Sequence, residues 1–274
     1  MSAYPWGSLL ASLPWTLLAV TVVLGGTFVV ALRLGRHAVV DIVWGLGFVA
    51  VAATSWLLSA TEGNGLRRVV LLAMVTLWGV RLALHIAARS RGQGEDPRYE
   101  ALLDKAGDGS RKLHALRSIY LTQGMVLWFV SLPVQVGMFA SAGMGWLAWT
   151  GVGLWAVGLF FEAVGDHQLA AFRADPASRG KVLDTGLWRY TRHPNYFGDA
   201  CVWWGIYLAS ASAWPGVLTV LSPLFMTYLL ANGTGKPLLE KGMASTRPGY
   251  ARYVSRTSGF VPMPPKKHPT AQEA

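Results

Sequence analysis

The sequence predicts an all-α polytopic membrane protein of seven transmembrane helices, with its N-terminus outside and its C-terminus in the cytoplasm. Three observations predict it. Of the 274 residues, 53% are hydrophobic and only 14% are charged, with a mean hydropathy of +0.36, whereas a soluble domain typically carries about 25% charged residues. The apolar residues gather in runs of the length that crosses a bilayer, ~20 residues each. The basic residues gather on one side of those runs.

Seven runs qualify, at roughly 13–32, 38–59, 68–88, 119–142, 144–164, 197–213 and 214–232. No basic stretch precedes the first, so it is read as a retained helix and not as a cleaved signal peptide. The sixth is short enough to be tilted or partly re-entrant, and only Trp214 and Pro215 separate it from the seventh. The chain reads as a single transmembrane domain over residues 1–264, followed by a polar tail at 265–274 too poor in apolar residues to order itself. The 13 Trp suit a protein with two membrane–water interfaces to anchor.

Seven spans place the segments 33–37, 89–118, 165–196 and 233–274 on one side. These hold 21 of the 24 Lys and Arg; the other side holds Arg67 and Arg68, and Arg81 lies within a span. The basic side is therefore the cytoplasm, and the location is the cell membrane. The net charge of +10 reflects this topology and leaves room for an anionic ligand at the cytoplasmic face, with no call for nucleic acid.

Metal chemistry finds little support. The single Cys201 excludes an internal disulfide and a multi-cysteine site, and is read as a small apolar residue in a helix. The six histidines form no HxxxH or HExxH pair, against a di-iron or zinc-protease site.

Polar residues inside the spans are the candidates for chemistry. Asp41 lies in the second span and Arg81 in the third. A charge at the bilayer centre costs ~2.5–3.5 kcal/mol on insertion scales, so an Asp41–Arg81 pair is expected to satisfy both. That pair serves either as a ligand-orienting acid in a cavity or as a structural tie between two helices. Glu162 and Asp166 stand one turn apart at the cytoplasmic end of the fifth span.

The loop at 165–199 is the richest in chemistry. It brings Arg173, Arg179, Lys181, Arg189 and Arg192 together with His167, His193 and several aromatics ahead of a helix. Arg can fork to phosphate oxygens, aromatic rings stack on a base, and a helix N-terminus favours an anion. On composition alone, a basic juxtamembrane loop meeting lipid headgroups is the plainer reading. The glycines of the loop at 89–118 form no GxGxxG or phosphate-loop pattern, and no strand–helix alternation supports a Rossmann domain.

The order of residues adds what composition does not. Asp184-Thr185-Gly186-Leu187-Trp188-Arg189-Tyr190-Thr191-Arg192-His193-Pro194-Asn195-Tyr196-Phe197-Gly198-Asp199 resembles the C-terminal signature of the steroid 5α-reductase superfamily. Three further pieces are similar to its bacterial branch, a domain of unknown function designated DUF1295. They are Val40-Asp41-Ile42-Val43-Trp44-Gly45, the stretch from Trp78-Gly79-Val80-Arg81 through Gly94-Glu95-Asp96-Pro97-Arg98-Tyr99, and Pro237-Leu238-Leu239-Glu240 with Arg247-Pro248-Gly249-Tyr250.

The resemblance implies a seven-helix fold, NADPH entering from the cytoplasm, and reduction of a carbon–carbon double bond, an enone or another polarised alkene, in a steroid-like or other lipid. It implies that Asp166, Arg173, Lys181, Asn195 and Asp199 fall on cofactor-binding positions, with Arg192, His193 and Tyr196 as neighbours in the same set. On the second and third helices, Asp41 stands where animal steroid reductases carry a Glu, and Trp78 stands near the place of their Tyr. Asp41, Trp78 and Arg81 are thus the candidate catalytic residues. Trp donates an N–H but is a poor proton source, so a different lipid substrate is as open as a steroid. The Arg192-His193-Pro194-Asn195-Tyr196 piece is also found in isoprenylcysteine carboxyl methyltransferases. A methyltransferase using S-adenosylmethionine therefore remains the alternative, with a non-catalytic lipid-binding membrane protein behind it.

Overall fold

The computed structural model describes residues 3–106, 110–233, 240, 243 and 247–266. Most of the tail expected at 265–274, and Pro237 to Leu239 of one motif, lie outside the described residues. Among those residues the chain is helical, with one isolated bridge between Thr191 and Ser258.

The helices are α1 (Trp6–Leu34), α2 (Val39–Leu58), α3 (Gly65–Arg89), the short α4 (Pro97–Leu103), α5 (Arg111–Val130), α6 (Leu132–Met138), α7 (Trp146–Ala174), α8 (Pro194–Ala211), α9 (Gly216–Ala231) and α10 (Tyr250–Arg256). Four of them, α1, α2, α3 and α7, are long and apolar enough to cross a membrane. The pair α5 and α6, bent by 42°, makes a fifth if it is one span. The expected sixth and seventh spans correspond to α8, 18 residues long, and to the shorter α9, whose first turn is a 3-10 helix at Gly216–Val220.

The chain divides into two compact units. One comprises Met1–Val152 with Ile206–Ser222, the other Gly153–Gly205 with Pro223–Ala274.

In the first unit, α2 and α3 cross at two glycines. A Cβ on Gly45 would lie 2.4 Å from the Gly79 carbonyl oxygen, and one on Gly79 would lie 2.5 Å from that of Gly45. Hydrogen side chains let the two backbones touch, which is how helices gain packing energy where lipid offers no hydrophobic drive. Beside this crossing, Trp44 meets Phe48 edge-on at 5.4 Å, and Phe48 meets Trp78 at 5.5 Å.

The break between α5 and α6, near Pro133, is closed by side chains. The Trp128 carbonyl accepts from Ser131 Oγ at 2.8 Å and from Gln135 Nε2 at 3.2 Å, and Gln135 Oε1 accepts from Thr16 Oγ1 at 2.7 Å. Backbone groups freed by a break must find partners inside the protein when water is absent.

The two arginines expected on the far side from the basic loops are structural. Arg67 is fully buried and donates to the carbonyls of Ala142 at 3.1 Å and Gly143 at 2.8 Å, to Ser212 Oγ at 2.8 Å and to the Ala209 carbonyl. Arg68 donates to Ser59 Oγ at 2.9 Å.

The second unit repeats the glycine device. A Cβ on Gly158 of α7 would lie 2.5 Å from the Gly198 carbonyl oxygen, and one on Gly198 of α8 would lie 2.6 Å from that of Gly158. The C-terminal segment is laced to the loop before α8. Tyr253 donates from its hydroxyl to the Trp188 carbonyl at 2.6 Å, the Arg192 amide to the Ser258 carbonyl at 2.9 Å, and the Met263 amide to the Tyr190 carbonyl at 2.9 Å.

Candidate functional site

Each unit carries one cluster of the expected site residues. In the first, Asp41 lies in the first turn of α2, with 24% of its side chain exposed, and not deep in the span. This corrects the expected Asp41–Arg81 pair. Asp41 Oδ2 accepts from Arg98 Nη2 at 2.8 Å, and its Oδ1 accepts from the Tyr99 hydroxyl at 2.5 Å. Gln123 Nε2 donates to the same hydroxyl at 3.1 Å. Arg81 sits on α3, and Trp78 is fully buried there against Phe48.

The piece Glu95-Asp96-Pro97-Arg98-Tyr99 acts as a clasp on the start of α2. Glu95 accepts from the backbone amides of His37 and Ala38, the latter at 2.8 Å, and so satisfies donors at that helix end. Asp96 caps α4 by accepting from the Arg98 amide at 2.9 Å, with Pro97 in the first turn, where its missing N–H costs nothing. Asp96 also grips the Arg98 guanidinium at 3.0 and 2.8 Å, which aims it at Asp41.

The electrostatics follow. The hydrogen bond from Arg98 holds the Asp96 carboxyl below the usual range, and the same bond pushes Arg98 up. Burial, with the Asp41 charge adding to it, pushes the Tyr99 hydroxyl far above the usual phenol value. Tyr99 therefore keeps its proton at any physiological pH.

In the second unit, Glu162 and Asp166 are buried on α7, and Asn195 and Asp199 are one turn apart on α8. The glycine crossing brings these helix faces together. Asn195 Nδ2 donates to Asp166 Oδ1 at 3.4 Å, while a Cβ on Gly198 would lie 2.8 Å from the Glu162 amide nitrogen.

Arg192 and His193 are buried and face Glu240. Arg192 Nε donates to Glu240 Oε1 at 2.9 Å, and its Nη1 donates to the carbonyls of Thr257 at 2.6 Å and Val254 at 3.1 Å. His193 Nε2 lies 3.0 Å from Glu240 Oε1, and its ring stacks on Tyr196 with centroids 5.4 Å apart. Burial acts to raise the Glu240 carboxyl, but the hydrogen bonds from Arg192 and His193 outweigh it and hold the group below its ordinary value. Arg192 thus fastens the C-terminal segment. Arg173 is exposed in the last turn of α7, and Lys181 lines a cleft of about 780 Å³ in the same unit.

In the sequence, Arg98, Tyr99 and Glu240 stand out only as parts of motifs, and nothing marks Gln123. The signal for the first two was present, since a Pro-preceded polar run between two spans has to cap something. Glu240 lies 48 residues from Arg192 in sequence, and no local pattern joins them.

Residues 27–257 match the family described as a protein of unknown function, DUF1295. An uncharacterized protein of Schizosaccharomyces pombe is 25% identical over 222 residues, covering 72% of this chain and 64% of that protein. The 3-oxo-5-alpha-steroid 4-dehydrogenase 1 of Mus musculus is 35% identical over 92 residues, 34% of this chain and 36% of its own length. Its counterpart in Rattus norvegicus is 38% identical over 63 residues, 23% of this chain and 24% of that protein. The chain thus spans less than two thirds of the length of these curated relatives. No solved structure matches it.

Proposed function

The chain belongs to the DUF1295 family, and from that premise we propose that it is an NADPH-dependent reductase, embedded in the cell membrane, of a carbon–carbon double bond in a steroid-like or other lipid. The observation that carries the reading is the contact between the buried Asp166 and Asn195 at the α7–α8 crossing. A buried carboxylate fixes the amide, and Asp199 stands one turn further along the same helix face. That is a hydrogen-bonding edge suited to the carboxamide of a nicotinamide ring. The local likeness to proteins named as 3-oxo-5-alpha-steroid 4-dehydrogenases supports the same chemistry.

The cofactor, when bound, supplies a hydride to the polarised alkene; the chain supplies alignment and a proton. Asn195 and Asp199 orient the ring, and Arg173 and Lys181 take phosphate oxygens. Arg192 does not share that task, because its donors already meet Glu240 and two carbonyls.

Both oxygens of Asp41 accept hydrogen bonds, so the group in that cluster with a proton to offer is Tyr99. Tyr99 turns its single proton from Asp41 Oδ1 to the negative charge developing on the substrate oxygen, and water returns a proton to the phenolate, which Gln123 and the neighbouring Arg98 steady. Trp78 and Arg81, both on α3, belong to the proposed catalytic set as well.

The topology proposed with this reading is one domain over 1–264 with seven crossings, α8 and α9 included, the N-terminus outside and the C-terminus cytoplasmic. Reporter fusions after each helix test it.

The function is tested by the thermal stability of detergent-purified protein with NADPH or S-adenosylmethionine, since a ligand that binds only the folded state raises its stability. NADPH is expected to raise the melting temperature and S-adenosylmethionine to leave it unchanged. The reverse would establish the methyltransferase reading, and no shift with either would favour a lipid-binding protein.

A further inference from the structure

The cleft at Lys181 has two walls of one unit. The loop after α7 contributes Lys181, Asp184 and Arg189, and α10 contributes Arg252 and Arg256. Four cations face one carboxylate there. Among the described residues, none of the four side chains forms an ion pair or hydrogen bond, and the Arg256 Nε is buried with no hydrogen-bond partner. Lys181, Arg189 and Arg252 are exposed and their repulsion is screened, but Arg256 is half-buried, and its buried Nε, left without a partner, is costly. An arrangement of this kind becomes favourable when a dense anion fills it.

The walls are also tied to each other. The Tyr253 hydroxyl donates to the Trp188 carbonyl at 2.6 Å, and the Lys181 carbonyl accepts from Arg247 Nη1. Arg252 and Arg256 lie one turn apart, so both forks present on one helix face. Forked guanidinium donors pair bidentately with carboxylate and phosphate alike, and four cations suit the higher charge of a phosphate monoester. At about 780 Å³ the cavity admits a phosphate together with the organic group that carries it.

We propose that this cleft binds a phosphate monoester, with Arg252 and Arg256 as its principal ligands and Lys181 and Arg189 completing the charge. The site shares Lys181 with the proposed cofactor site and otherwise stands on the cleft alone. Two sources carry this chemistry, the 2′-phosphate that distinguishes NADPH from NADH and the headgroup of phosphatidic acid.

The test uses the full chain in phosphatidylcholine nanodiscs. Calorimetry measures binding of 2′-AMP against adenosine and of NADPH against NADH, and a second set of discs replaces part of the lipid with phosphatidic acid. The variants are the double Arg252→Gln/Arg256→Gln and, as a charge control, Arg179→Gln, an exposed arginine outside the cleft. The wild type is expected to prefer a phosphate-monoester probe at least about tenfold over its counterpart, since charge-assisted hydrogen bonds are the strong ones. The double variant is expected to lose that preference, and the control to keep it. Loss confined to 2′-AMP and NADPH identifies the cofactor as the source; loss confined to phosphatidic acid identifies the lipid. The proposal is overturned if no phosphate-monoester probe is preferred, or if Arg179→Gln loses as much as the double variant. Dinucleotide binding that Asn195→Ala abolishes, with every phosphate probe indifferent to the double variant, removes this proposal and leaves the reductase reading in place.

Discussion

The hydroxyl of Tyr99 donates to Oδ1 of Asp41 at 2.5 Å, and the next residue in the chain toward the N-terminus, Arg98, donates to the other oxygen at 2.8 Å. A five-residue piece between two spans therefore delivers a neutral proton donor and a cation to one carboxylate at the head of α2. Two substitutions separate these contributions. Tyr99→Phe keeps the ring and removes the proton, so turnover is expected to fall by ~10²-fold or more, the scale of general acid catalysis, with NADPH binding unchanged. Asp41→Asn is expected to lose turnover as well while retaining NADPH binding. Steady-state rates against calorimetric affinities check both; normal turnover in Tyr99→Phe would remove Tyr99 from the proton step.

The Glu95 clasp is predicted to act on stability alone. Glu95→Ala leaves the His37 and Ala38 amides at the start of α2 without their acceptor. Losing a capping acceptor costs about 0.5–2 kcal/mol, readable as a lower melting temperature in detergent with NADPH affinity retained in the folded fraction.

The two glycine crossings are predicted to tolerate no side chain. Gly79→Ala places a carbon 2.5 Å from the Gly45 carbonyl oxygen, and Gly198→Ala places one 2.6 Å from that of Gly158. Overpacking of this kind costs typically about 1–3 kcal/mol. Both variants are expected to give lower yields of monodisperse protein. Gly198→Ala is expected to weaken NADPH binding too, because the same crossing sets the Asp166–Asn195 contact. Alanine at Gly153, which has open space around it, serves as the comparison.

Glu240 sets a pH dependence. Its folded-state value is depressed, so its contribution to stability is fully present above the ordinary Glu value of about 4.3 and is lost as pH falls through the folded-state value. Melting temperature is therefore expected to drop on acidification below that range and to stay level from there toward neutrality as far as this group is concerned. Glu240→Gln is expected to lower the neutral-pH stability and to flatten the acid limb. An unchanged acid limb would show that the Arg192–Glu240–His193 contact contributes nothing.

What the sequence made legible and what it did not divide along physical lines. Apolar runs and the lopsided Lys and Arg carried the helical membrane character, because lipid imposes a length and a charge rule that can be read locally. The edges of the first three spans came within a few residues of α1, α2 and α3, except that α1 begins seven residues earlier than expected. The partner of Asp41 was not legible. Arg81 is the nearest basic residue within a span, whereas the partners of Asp41, Arg98 and Tyr99, arrive from a segment that folds back onto the helix end. Glu240 and the α10 arginines were hidden for the same reason, since contacts between distant segments leave no periodicity. Asn195 stands in an ordered motif, Asp166 is marked by its place one turn from Glu162 at a span end and by the family resemblance, and the structure brings the two side chains to within 3.4 Å.

The central claim, that α7 and α8 hold NADPH through Asp166 and Asn195, is tested most directly by fluorescence titration of the purified protein with NADPH, alongside Asn195→Ala and Asp166→Asn. The account predicts saturable binding in the wild type, at least tenfold weaker in each variant, with the melting temperature of the unliganded proteins close to that of the wild type. Binding of equal strength in all three proteins, or none in the wild type where S-adenosylmethionine binds, would contradict it.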